Sequence, residues 1–588
     1  MGETLFERTI RFIESNRISL LVFFCSFFLF VSFGGTRLFI SDEGLTINQF
    51  YNLVHGSLAI TMAKIGVSKG MYFVINKSLY VKFSYALPIL SMPAYYLLRS
   101  IDQLYGAHLF LLQLWAMSAG VIVYLIARTR SMKYALFSGI TTYIVLISVN
   151  LLFFKPISFP VWGEVLSIEL TNIIISSFLV LIVFLLFRDM FSQKIALLAS
   201  FFILLATPVS FYAITLKHHN LAVLFTLLSF YFFYKYYKKT DNRFIFLAYA
   251  SAGLCVWTRI LDGAALLGAL LITDFIISRR NIKYLVTVSI VILISLMPFL
   301  IFNYLILGNP LSIIENVPPM TDQMTLYTAK DFIQLTENMN QQLQLGLFAK
   351  LGYDWNPVIK TDWMNIVLDI TFLKLGNNFG IFLVSPFLIA AFGFVLEWVK
   401  RKTKLSGIDK LFAIYTVLFI LLYLNYFILI VTDTPATLEY RYLLIFYVTL
   451  FYFSMRVGYL RMLVENNLKT ICLMYAGMIL LSLLYFIAGF PVPFMNQYYL
   501  VALGTSFFLI GLLILRAMLP NKIPRTIPVD KYMQFLIALS FALSSLFLIY
   551  YYWISTMSYI YPSQNYTIVP VLENIVRWMF QSIFSTKL

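Results

Sequence analysis

Apolar segments of about 20 residues, the length needed to cross the hydrocarbon core of a bilayer, recur along most of this chain. No other feature constrains its fold as strongly. The pattern predicts an all-α fold, a polytopic transmembrane helical bundle of about 13–15 spans joined by short surface helices and loops. The candidate spans run from residues 19–40 to residues 533–553 and include 194–213 and 378–398. Composition closes the alternatives. Hydrophobic residues make up 61% of the chain and charged residues 12%, about half the charge of a soluble domain. That is too little polar surface for a soluble enzyme or a disordered chain. The three cysteines, Cys25, Cys255 and Cys472, all sit in apolar stretches, which argues against a disulfide framework or a cysteine metal site.

Lys and Arg give the expected orientation. With the N-terminus in the cytosol, alternation of the spans gathers Arg8, Arg11 and Arg17, Arg128, Arg130 and Lys133, Arg188 and Lys194, the Lys235–Arg243 cluster, Arg279, Arg280 and Lys283, Lys400–Lys410, Arg456, Arg461 and Lys469, and Arg516–Lys531 on one side. The net charge of +17 collects in those loops, which is the positive-inside pattern, and no basic excess is left to suggest nucleic acid. Residues 244–278 form one apolar stretch with basic clusters at both ends. It is too long for one span, so the chain is expected to reverse near Arg259–Gly263. Residues 41–105, 307–377 and 554–588 fall on the extracytoplasmic side, and 571–584 reads as an amphipathic helix lying in the interface.

Charges at or near membrane depth are costly and are functional candidates by default. Asp42 and Glu43 follow the first span as an acidic pair. They suit a general base, with a metal or acceptor contact beside it, and equally a helix N-terminus. Glu164, after Trp162, suits either a carboxylate in a substrate cavity or an interfacial cap. Lys217, His218 and His219 form a turn; neighbouring histidines do not share a helix face, so a two-histidine metal site is not expected, and one of them could bond a phosphate or sugar. Arg259 has the planar donor fork that suits phosphate, although Asp262 stands three residues on and can pair with it locally. Arg441, between Tyr440 and Tyr442, suits an anion site or an aromatic anchor. Lys77 and Lys82 lie in a loop alternating basic and aromatic residues, fit for a headgroup or an interface. All of these lie on the extracytoplasmic side, and mid-span positions are nearly free of charge. That placement suits surface chemistry on a lipid-borne substrate better than transport through the midplane.

The order of these features resembles the polytopic GT-C-fold glycosyltransferases, especially archaeal and bacterial relatives of protein O-mannosyltransferases and of aminoarabinose transferases. The resemblance covers most of residues 19–460. It rests on Asp42-Glu43, Tyr85-Ala86-Leu87-Pro88 with Pro93, Ala252-Gly253-Leu254 with Thr258-Arg259, Phe302-Asn303-Tyr304 with Gly308-Asn309-Pro310, Ser385-Pro386 and Arg441-Tyr442-Leu443. It implies a catalytic module over 1–460, including the loops 41–105 and 307–377, and an additional membrane segment over 461–588. It further implies an inverting hexosyl- or pentosyltransferase that moves a sugar from a polyprenyl-phosphate donor to a glycan, lipid or protein at the extracytoplasmic face, among membrane lipids as partners. By resemblance, Asp42 is the base, Glu43 supports it, and Arg259, Arg441, Lys77 and Lys82 hold the donor phosphate. Glu164, His218, His219 and Asp262 then line the substrate cavity. The resemblance assigns no resident cofactor and leaves room for a divalent cation. The chain departs from the protein O-mannosyltransferases in having no large domain between spans. The residues also leave open a transporter or flippase of a lipid-linked glycan, and a structural protein in which the charges are only caps and anchors.

Overall fold

The computed structural model describes residues 5–39, 43–311, 325–326, 363–558 and 567–574, apart from breaks at 66, 69–71, 76–77, 279–280, 373, 376–377, 401–403, 433–441, 488–493, 519–527 and 573. The fold is all-α. Helix α1 spans Leu5–Phe33, α2 Glu43–Val54, α3 Ala86–Asp102, α4 Ala107–Ala127, α5 Met132–Leu151, α6 Phe159–Met190, α7 Gln193–Leu205, α8 Val209–Ala213, α9 His219–Lys239 and α10 Asn242–Thr258. They are followed by α11 Ile260–Leu271, which runs into a π-helical turn at Ile272–Ile277, and by α12 Lys283–Leu307 and α13 Trp363–Thr371. The remainder is α14 Ile381–Val384, α15 Ala391–Val399, α16 Gly407–Thr432, α17 Leu444–Arg456, α18 Gly458–Ile487, α19 Phe494–Met518 and α20 Val529–Ser558. Among the described residues, β structure is limited to three short two-stranded pairs, the longest joining Tyr72–Ile75 to Ser78–Val81.

Most of the expected spans fall on single helices, and nine helices among the described residues are long and apolar enough to cross a membrane. The 32-residue α6 is the central strut; it packs against α1, α3, α7 and α9. At the periphery, α5 exposes Leu136, Phe137, Ile140 and Ile144, and α12 exposes Val286, Ile290, Leu293 and Ile294. Such apolar faces need lipid rather than water around them. The chain is an integral, multi-pass membrane protein.

Small residues set the helix spacing where apolar burial gives no drive toward association. Gly120 and Gly139 bring α4 and α5 together so closely that a Cβ on either would lie 2.8 Å from the other's carbonyl oxygen. The expected reversal is present: α10 ends at Thr258, α11 starts at Ile260, and Arg259 between them is extended. Gly263 permits this tight hairpin, since a Cβ there would lie 2.3 Å from the Val256 amide nitrogen. Backbone cannot yield as a side-chain tip can. Gly263→Ala is therefore expected to cost about 1–3 kcal/mol of stability, read as a lower unfolding temperature in detergent. Gly477→Ala is the control, because nothing lies within 4 Å of that position.

Two expected spans, 194–213 and 378–398, are broken rather than continuous. Each break precedes a proline, at Thr207-Pro208 and Ser385-Pro386, because proline excludes the helical conformation from the residue before it. The breaks face one another. The Ser385 hydroxyl donates to the Ala206 carbonyl at 2.9 Å, and Ser545 donates to Leu205 at 2.6 Å. Ser506 and Tyr498 donate to the carbonyls of Phe382 and Leu383. Interrupted helices survive at membrane depth only when freed backbone groups are satisfied in this way.

Candidate active site

The site forms at the bundle end that carries α2 and the α10–α11 turn. Glu43 opens α2, where an acidic side chain favours the positive end of the helix dipole. It is fully buried. One carboxylate oxygen accepts from the Phe39 amide at 2.5 Å and the other from the Leu216 amide at 2.7 Å. Glu43 therefore joins the first loop to the turn before α9. On α6, Glu169 takes the Gly35 amide with both oxygens, at 2.9 and 3.0 Å, and Arg37 lies within electrostatic reach of it. Two buried carboxylates thus grip the two ends of the link from Gly35 to Phe39.

Three turns meet beside this link. In the first, Gln49 on α2 donates to the Phe83 carbonyl at 3.0 Å, and the Ser84 hydroxyl donates to the Trp257 carbonyl at 2.6 Å. That fixes residues 82–85 against the end of α10. The second is Lys217-His218-His219. Buried Lys217 holds its ammonium 4.1 Å from the centre of the Phe83 ring, a cation–π contact, and His218 also faces Phe83. Asn172 on α6 anchors this turn through the carbonyls of Tyr212 and Thr215, both at 2.8 Å. The third turn holds Arg259. Its Nη1 pairs with Asp262 at 3.1 Å, its Nη2 donates to the Tyr423 hydroxyl at 2.8 Å, and Tyr423 in turn donates to Asp262. The Tyr442 ring lies 5.0 Å from the Arg259 guanidinium and 6.1 Å from the His219 ring, so it links the second turn to the third.

Beside them lies a cavity of about 40 Å³ whose lining includes Lys82, Ser84, Trp257, Thr258, Phe302 and Asn303. The indole N–H of Trp257 has no hydrogen-bond partner among the described residues. Phe83, Ile260, Phe299 and Phe302 make most of the lining apolar; Lys82 and the Trp257 indole add donors, the Asn303 amide donates to the Pro310 carbonyl, and the space admits only water-sized groups.

The structure thus brings Glu43, Lys82, His218, His219, Arg259 and Asp262 to one end of the bundle. Glu164 has a different partner: it forms an ion pair with Lys64 of the first loop. Arg259 does not present an open fork, because Asp262 and Tyr423 engage Nη1 and Nη2, and this is the local pairing that stood as its alternative role. Asp42, Lys77 and Arg441 lie outside the described residues. Among the described residues, no three His, Cys, Asp or Glu side chains converge.

Sequence reasoning missed Lys64 and Tyr423. Tyr423 was readable as a hydroxyl within an apolar span. Lys64 is held by a device with a weaker signal, Asn48 and Asn52 one turn apart on α2. Asn48 accepts from the amides of Lys64 and Ile65, and Asn52 from those of Thr61 and Met62.

Residues 157–302 match the family model of the dolichyl-phosphate-mannose-protein mannosyltransferases. The match covers about a quarter of the chain, and over that segment the chain is similar to this family. No curated protein and no solved structure matches the chain. The matched segment runs from the start of α6 to near the end of α12, so it contains Glu169, the Lys217–His219 turn and the Arg259–Asp262 pair. The first loop, Tyr423 and Tyr442 reach the same place from outside it.

Proposed function

We propose that the protein is a membrane glycosyltransferase that takes a sugar from a polyprenyl-phosphate donor at the extracytoplasmic face. The observation that carries this reading is the meeting of Lys82–Tyr85, Lys217–His219 and Arg259–Asp262 at one end of the bundle, two of these turns lying inside the segment that matches the mannosyltransferase family model. In this reading Asp42 takes the proton of an acceptor hydroxyl as its oxygen attacks the anomeric carbon. The bond from that carbon to the phosphate oxygen breaks, and polyprenyl phosphate leaves with the electron pair, inverting the sugar. General-base help of this kind contributes roughly 10²–10⁴-fold. Glu43 holds the backbone beside Asp42. Lys82 and Lys217, with Lys77 and Arg441, balance the leaving phosphate. Arg259, its charge balanced by Asp262, holds Tyr423 and packs on Tyr442 beside the site. His218, His219 and Asp262 border the sugar, and residues 1–460 form the catalytic module.

A transporter would draw on the two facing helix breaks, since freed carbonyls at such breaks coordinate ions in transporters. Here Ser385, Ser545, Ser506 and Tyr498 donate to four of those carbonyls, which favours transfer over transport.

The test of the reaction is release of polyprenyl phosphate from a lipid-linked sugar by the purified protein. The test of the face is labelling of Ser78→Cys and Ser406→Cys by a membrane-impermeant maleimide in intact cells, with the native cysteines replaced by serine. Ser78→Cys is expected to react from outside and Ser406→Cys only after permeabilisation. Labelling of both from outside would reject the orientation.

A further inference from the structure

The far end of the chain returns to the first loop. Ile568 donates its amide to the Gly34 carbonyl at 3.0 Å, and Thr567 forms an isolated antiparallel bridge with Gly35. Thr567, Ile568 and Val569 are all buried. Three further elements hold this stretch. At the start of α4, His108 accepts the Ile157 amide on Nδ1 at 3.2 Å, which leaves the proton on Nε2 to be donated to the Ile568 carbonyl at 3.1 Å. Phe154 stacks on the ring at 4.6 Å. Near the end of α5, Asn150 accepts the Val571 amide at 3.3 Å, and Leu572 packs on the core. The start of the expected interfacial helix is therefore docked on the bundle, and residues 575–588 lie outside the described residues.

The position of this contact gives it its significance. Gly34 and Gly35 form the joint between α1 and the link to Glu43, and two successive glycines leave a joint loose unless it is held. Glu169 holds Gly35 from one side, and residues 567–568 hold the same two residues from the other. Phe39, at the far end of the link, is held by Glu43.

We propose that residues 567–572 are a positioning strap for the first loop, with His108 and Asn150 as the positioning residues that seat it. Its link to turnover rests on the transferase reading; its effect on the loop does not. The strap seats the joint, and the joint orders the link from Gly35 to Phe39, whose far end Glu43 holds.

The test compares His108→Leu, Ile568→Pro and His108→Gln in the full-length protein. Leucine removes both ring contacts, and proline removes the amide given to Gly34. Glutamine keeps an acceptor for Ile157 and a donor for Ile568. Hydrogen exchange followed by mass spectrometry is expected to show faster exchange across residues 34–39 in the first two variants and native exchange in His108→Gln. Amides of α9 and α10 exchange natively in all three, which shows an intact bundle. Turnover is expected to fall roughly 10–100-fold in the first two, as for a misplaced reacting group, with the donor KM unchanged, and to return in His108→Gln. Native exchange across 34–39 in both disruptive variants overturns the strap, as does faster exchange with native turnover. If the wild-type protein transfers no sugar at all, the transferase reading falls, and the exchange data, which need no substrate, still decide the strap.

Discussion

Asp42→Asn is expected to lower sugar transfer by at least ~100-fold while donor binding survives. The amide keeps the size of the side chain and removes its basicity, so the loss should fall on kcat. The adjacent acid is poorly placed to take over. Glu43 is buried, with both carboxylate oxygens already accepting backbone amides, from Phe39 and Leu216. Taking a proton there would weaken the clamp that joins the first loop to the turn before α9. Glu43→Gln should fail differently, since its NH2 group would face an amide N–H. A buried donor left without an acceptor costs about 1–3 kcal/mol, so Glu43→Gln should lower the unfolding temperature as well as the rate. Initial rates and donor KM, measured beside thermal stability, separate the two residues. A fully active Asp42→Asn protein would remove Asp42 from the base role.

Asp262→Ala is expected to cost about 3–5 kcal/mol, the penalty for leaving one member of a buried ion pair uncompensated. The Arg259 and Asp262 side chains are 9% and 5% exposed, so water cannot take over the lost partner's role. Tyr423 would lose its acceptor on Asp262 at the same time. The double variant Arg259→Leu/Asp262→Leu should regain most of that stability, because apolar replacement of a whole buried pair is often neutral or favourable. Transfer should not return with it, because the guanidinium that holds Tyr423 and packs on Tyr442 is gone. Unfolding temperature in detergent and transfer rate together make the distinction. A stable double variant with wild-type turnover would make the pair purely structural.

The spans were legible because a bilayer imposes a length, and the reversal at Arg259 was legible because both flanks of residues 244–278 are basic. The prolines behind the broken helices were visible too, as Thr207-Pro208 and Ser385-Pro386. What the sequence did not carry was that the two breaks meet, because that depends on how distant helices pack. The same limit applies to the site. Arg259 and Asp262 were readable as an i, i+3 pair, yet Tyr423, which completes it, comes from α16. Glu164 was readable as a carboxylate near the membrane edge, but its partner Lys64 is placed by two asparagines on α2. The return of residues 567–572 to Gly34 has no local pattern at all, since it consists of backbone hydrogen bonds between segments hundreds of residues apart.

The central claim is that this end of the bundle cleaves the bond between a sugar and a polyprenyl phosphate. The most direct measurement uses the purified protein in proteoliposomes with a donor radiolabelled in the sugar, following the lipid phosphate and the sugar separately. The account predicts release of free polyprenyl phosphate with the label moved to an acceptor, and loss of both in Asp42→Asn. Movement of the intact lipid-linked sugar between leaflets, with no polyprenyl phosphate released, would contradict it.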